Sequence, residues 1–110
     1  MDAQTESQMD ITNEEFKEII NNSHKIVVVD FYAEWCMPCL MISPIIDELS
    51  EQMPKVKFVK MNLDENKGLA RKLNVSSIPC LIFFKKGKEV DRLIGAQSQE
   101  AIEEKIKKYL

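Results

Sequence analysis

Two cysteines two residues apart, in the stretch Trp35-Cys36-Met37-Pro38-Cys39, fall where a strand pattern gives way to a helix pattern. Few folds and few chemistries accept that combination. Before it runs Lys25-Ile-Val-Val-Val-Asp-Phe-Tyr32, a β-branched and aromatic run that predicts a strand buried on both faces. After it, Leu40, Met41, Ile45, Ile46, Leu49 and Met53 recur at helical spacing, and Pro38 sits in the first turn, where its missing N–H costs least. Cys36 is thereby predicted at a helix start. The unpaired amides and the positive end of the helix dipole there favour a thiolate over a thiol. Cys39, one turn further in, is placed to attack any mixed disulfide that Cys36 forms. The spacing encodes a two-electron dithiol/disulfide couple.

The remaining chain reads as support for this junction. With 110 residues and 45% apolar content it is one domain's worth of sequence, able to bury a core. Residues Met1 to about Met9 carry no apolar period and read as a flexible tail, which leaves residues 10–110 as the domain. Thr12-Asn-Glu-Glu15 is a capping box for a helix whose apolar stripe is Phe16, Ile19 and Ile20. Pro44 should bend the cysteine helix without ending it. Residues Lys55 to Leu63 alternate as a second strand, a short helix spans about Lys67 to Leu73, and Cys80-Leu-Ile-Phe-Phe84 is a third strand. Lys86-Gly87-Lys88 turns the chain into Glu89 to Ile94, an antiparallel hairpin. Ser98 caps a last helix with Ile102, Ile106 and Leu110 on one face. This order predicts an α/β fold, a small mixed sheet with helices on both faces and the cysteines at the carboxyl end of a central strand.

A net charge of −3 opposes a nucleic-acid or anionic-membrane surface, since either wants clustered Lys and Arg. The polar, acidic start has no basic and apolar leader, so the expected compartment is the cytoplasm. In a reducing cytosol the Cys36/Cys39 pair is catalytic or metal-binding rather than structural. Zinc wants four ligands, and the other candidates are Cys80 and His24. His24 precedes a strand whose far end leads to Cys36, and eight residues at about 3.3 Å each set it roughly 25 Å away. No metal is expected, and an iron–sulfur cluster shared by two chains lacks a fourth local thiolate.

The residues Val29-Asp-Phe-Tyr-Ala-Glu-Trp-Cys-Met-Pro-Cys39, with Pro44, Lys60, Asp64, Ile78-Pro79 and Gly95, resemble thioredoxin from about Met9 onward. The resemblance implies a central mixed sheet of four or five strands, a cis peptide between Ile78 and Pro79 facing the cysteines, and reduction of protein disulfides by Cys36 attack and Cys39 resolution. It implies protein substrates, recharging by a thioredoxin reductase or an equivalent donor, and a monomer. No cofactor is expected on this chain, which has no Gly-rich phosphate loop. A glutaredoxin-like or oxidising disulfide enzyme, and an interaction module indifferent to redox state, are the competing readings.

Individual residues sharpen the expectation. Asp30 lies inside the apolar strand, where a carboxylate is costly unless used, and reads as a buried proton acceptor for Cys39. The family reading makes Lys60 its nearby cation, whereas on its own Lys60 reads as a solvated strand lysine. Trp35, Met37, Pro38, Ile78 and Pro79 form an apolar rim for an extended substrate, with Gly95 from the final strand beside it. Met37 stands where thioredoxins usually have Gly, and Leu40 where a basic residue is common. Cys80 follows the proline in place of a small polar residue and reads as packing, because strand alternation turns it away from the pair.

Overall fold

A computed structural model describes residues 9–110; the expected tail thus falls mostly outside the described residues. Met9 itself is held, because its carbonyl accepts from the Lys60 amide at 2.8 Å and its side chain packs against the core. The first helix, α1 (Asn13–Asn22), opens on the expected capping box, with the Glu15 amide donating to Thr12 Oγ1 at 3.1 Å and the Thr12 amide to Glu15 Oε1 at 2.8 Å. Then follow β1 (Ile26–Tyr32), α2 (Met37–Gln52), β2 (Val56–Asn62), a 3-10 turn (Leu63–Glu65), α3 (Lys67–Lys72), β3 (Cys80–Lys85), β4 (Lys88–Ile94) and α4 (Gln99–Lys107). The helix α2 continues through Pro44, whose ring is exposed.

The sheet has four strands in the order β2-β1-β3-β4, with β1 parallel to β2 and antiparallel to β3. This is the mixed sheet that the crossovers and the single hairpin require. Lys86 and Gly87 both have positive φ, 54° and 82°, the two-residue turn whose twist matches the strands it joins.

Because β1 is interior, its residues are buried from Ile26 to Phe31, and pleating divides them between two cores. Val27, Val29 and Phe31 join Phe16, Leu69, Ala70, Cys80, Ile82 and Phe84 on the α1/α3 face. Ile26 and Val28 join Ile42, Ile46, Leu49, Leu81, Phe83, Ile102 and Ile106 on the α2/α4 face. Each such aliphatic side chain contributes roughly 1.5–3 kcal/mol by leaving water. The alternation has a functional result. Asp30 shares the parity of Ile26 and Val28, so it points toward α2, whereas Cys80 belongs to the opposite core.

Candidate active site

The carboxyl end of β1 leads through Ala33-Glu34-Trp35 to Cys36, the N-cap of α2. The Cys36 amide donates to the Ala33 carbonyl at 3.2 Å, which turns the chain into the helix. Cys36 Sγ accepts from the Cys39 amide at 3.2 Å, the capping contact that a Ser or Asp oxygen usually makes. Cys36 and Cys39 are joined by a disulfide with their Cα atoms 5.2 Å apart. Both are buried, packed with Ala33 and against Tyr32 and Ile78. The expected helix-start position of Cys36 is therefore realised in the fold.

Around the disulfide the surface is apolar. Trp35 and Met37 are 69% and 67% exposed, and Leu40, Met41 and Pro38 are exposed beside them. The Trp35 indole is oriented by a bond from Nε1 to Asp64 Oδ2 of 2.9 Å. The peptide between Ile78 and Pro79 is cis, and Ile78 packs against the cysteine pair. Ile78 has no backbone hydrogen-bond partner among the described residues. Gly95, at φ 91°, donates its amide to the Pro79 carbonyl at 2.8 Å. That bond continues the β3–β4 pairing beyond the strand ends and ties Gly95 to the cis-proline segment.

Asp30 is 1% exposed, lies between Lys60 of β2 and Leu81 of β3, and has a side-chain oxygen, Oδ1, without a hydrogen-bond partner. Burial pushes its carboxyl up from 3.8 to about 7; Lys60 pulls it down, and Asp10 and Asp47 push it further up. A pocket of about 360 Å³ joins Asp30 to Cys39, with Asp10, Tyr32, Glu34, Leu40, Ser43 and Lys60 completing its walls.

Lys60 corrects the expectation of a solvated strand lysine. It is only 5% exposed, because the parity that turns Asp30 toward α2 also turns Lys60 there. Its Nζ donates to Ser43 Oγ and to Asp47 Oδ1, both at 2.8 Å. It acts on Asp30 through its field, and its hydrogen bonds go elsewhere.

Several residues at this site had no part in the sequence reading. Ser43 and Asp47 carried a usable signal: with Cys39 they lie at i, i+4 and i+8, one face of the helix. Asp10 and Tyr32 carried none, since only the fold brings the segment before α1 to the end of β1. Cys80 is 1% exposed on the far side of the sheet, where burial raises its thiol pKa. His24 is exposed, and no group of three metal-ligating side chains occurs among the described residues.

A disulfide capping the helix that follows an interior strand, with a buried carboxyl across a pocket from its second sulfur, defines a thiol–disulfide oxidoreductase. Known proteins agree. The family model described as Thioredoxin matches residues 7–108. A thioredoxin of Synechocystis is 43% identical over 101 residues, 91% of this chain and 94% of its own length. One from Rickettsia felis is 42% identical over 101 residues, 91% and 96% of the two chains. The solved thioredoxin of Plasmodium falciparum superposes with a TM-score of 0.85 at 38% identity, covering 92% of this chain and 98% of that one. The chain belongs to the thioredoxin family, and it is a protein disulfide reductase acting by dithiol/disulfide exchange.

Proposed function

We propose that Cys36 is the attacking thiol, Cys39 the resolving thiol and Asp30 the proton acceptor in this exchange. The observation that carries the assignment is the N-cap position of Cys36, whose sulfur receives the Cys39 amide at 3.2 Å. In the reduced protein that amide and the helix dipole stabilise the Cys36 thiolate. The thiolate attacks one sulfur of a substrate disulfide, forming the mixed disulfide and releasing the first substrate thiolate. Asp30 then takes the proton of the Cys39 thiol, and the Cys39 thiolate attacks Cys36 Sγ. The mixed disulfide breaks, the second substrate sulfur leaves and is protonated, and Cys36 and Cys39 end oxidised. Two electrons have passed to the substrate. A base with a pKa near the working pH suits this role, and burial gives Asp30 that property.

The apolar rim of Trp35, Met37, Pro38 and Ile78 receives the substrate, whose extended chain pairs with the Ile78 backbone, while Pro79 and Gly95 hold that segment in register. Lys60 tunes Asp30. The protein works as a cytoplasmic monomer, its domain spanning residues 10–110, and a thioredoxin reductase or an equivalent donor returns it to the dithiol. No helix among the described residues is long and apolar enough to cross a membrane.

Incubation of Cys36→Ser and Cys39→Ser proteins with a disulfide-bonded protein substrate tests the division of labour. Cys39→Ser accumulates a covalent adduct through Cys36, and Cys36→Ser accumulates none; the opposite pattern reverses the assignment. NADPH with a thioredoxin reductase, set against glutathione, identifies the class of donor.

A further inference from the structure

The proton acceptor proposed above sits in a cavity with several ionisable neighbours, and their pairing is unequal. Asp30 is faced by Asp10 from the segment before α1, Tyr32 from its own strand, Glu34 from the following turn, Cys39, Ser43 and Asp47 from α2, and Lys60 from β2. From β3 the apolar Leu81 lies across from it, and the Cys80 thiol, on the opposite face of the sheet, is close enough for the Asp30 charge to push its pKa up. The charge of Asp47 is matched by Lys60 at 2.8 Å. Asp10 has no cationic partner among the described residues. Among the described residues its Oδ1 accepts from a neutral donor, the Tyr32 hydroxyl.

Asp10 is also fixed in place. The segment around it forms a parallel bridge to β2 at Lys60, with the Lys60 amide donating to the Met9 carbonyl at 2.8 Å and the Ile11 amide to the Lys60 carbonyl at 3.0 Å. Bracketed by two backbone bonds and a side-chain bond, the Asp10 carboxylate is held in the wall of the pocket that Asp30 and Cys39 share.

We propose that Asp10, steadied by Tyr32, is a positioning residue for the resolving step: its carboxylate, held by a neutral hydroxyl, faces the cavity of Asp30 and sets how readily Asp30 takes and gives up the Cys39 proton. The inference rests on the reading of Asp30 as proton acceptor. Physically, a second negative charge across a cavity disfavours the ionised form of Asp30, and this is the direction in which Asp10 acts on it. The stronger base that results accepts the thiol proton more readily and passes it on to the leaving sulfur or through the pocket to water. The hydroxyl of Tyr32 holds the charge without neutralising it, which a Lys or Arg in its place would do.

The test uses Asp10→Asn, which keeps the acceptor oxygen for Tyr32 and removes the charge, beside Tyr32→Phe, Asp30→Asn and wild type. Two readouts are taken: the titration of the Asp30 carboxyl by NMR in the oxidised protein, and the pH profile of kcat/KM for reduction of a protein disulfide. In Asp10→Asn both midpoints move to lower pH by several tenths of a unit, with a lower rate on the alkaline plateau. Tyr32→Phe moves them the same way by less. A merely structural Asp10 alters melting and leaves both midpoints where they are, and unmoved midpoints in Asp10→Asn overturn the proposal. If Asp30→Asn keeps the wild-type inflection, the proton-acceptor reading of Asp30 fails and takes this inference with it. If Asp30→Asn abolishes the inflection while Asp10→Asn leaves it in place, the inference alone fails.

Discussion

Asp30→Ala should stabilise the protein and slow it at the same time, with a gain that depends on pH in a direction fixed by linkage. A folded-state pKa raised above the unfolded value means that, between the two, the native state holds more protons than the unfolded chain. Stability then falls as pH rises through that window and levels off above it. Each pH unit between the two values is worth about 1.4 kcal/mol, so a carboxyl raised from 3.8 to about 7 costs the folded state up to about 4 kcal/mol once ionised. Asp30 is 1% exposed, so solvent screening removes little of this. Truncation to Ala leaves a small gap that opens on the existing pocket, at a cost of about 1 kcal/mol. The net gain is about 3 kcal/mol near pH 8 and vanishes, or reverses slightly, near pH 3. Urea melts of the oxidised wild-type and Asp30→Ala proteins across this range measure it, because titrating groups that do not interact with Asp30 cancel in the difference. Turnover measured alongside should fall. A stability difference that does not change with pH would refute the reasoning, since it would mean that Asp30 is not desolvated in the folded state.

Three further outcomes are expected. Lys60→Met removes the cation that favours ionised Asp30 and leaves the half-exposed Asp47 to water, so the inflection of the reduction rate should move to higher pH, read from a kcat/KM profile. Cys80→Ala should cost about 1 kcal/mol in a denaturant melt with turnover unchanged, and Cys80 in the wild type should react with a thiol reagent only after unfolding. Gly95→Ala should lose about 1 kcal/mol in the same melt, because φ 91° strains an L residue although a Cβ meets no neighbour within 4 Å.

The elements of this fold were legible because each carries a local signal: the Thr12/Glu15 capping box, the unbroken apolar run of β1, the positive-φ turn at Gly87 and the Ser98 cap. The reactive pair and its helix-start position are equally local, being written in consecutive residues. Asp30 was legible through its cost, as a carboxylate among valines. Lys60 was not, because alternation in β2 shows which residues share a face but not that this face is roofed by α2. The bonds from Tyr32 to Asp10 and from Trp35 to Asp64 join residues 22 and 29 positions apart, and nothing in either neighbourhood announces the other. Long-range polar pairing is a product of topology, and it decides the fine electrostatics of the site.

The parity of the interior strands has a consequence for how this molecule can carry a spare thiol. A third sulfur near a redox-active pair is a hazard, since it can capture the mixed disulfide or trap the wrong bond. Here the sheet acts as a partition. Cys80 and Asp30 lie on adjacent strands, one residue out of register, and therefore under different roofs: Cys80 among Phe16, Ile82 and Phe84, Asp30 on the side of Cys39. Insulation comes from a counting rule of the backbone, and the bond from Gly95 to Pro79 extends the pairing that keeps the count. A slip of β3 by one residue would exchange Cys80 with Leu81 and carry the third thiol through the wall.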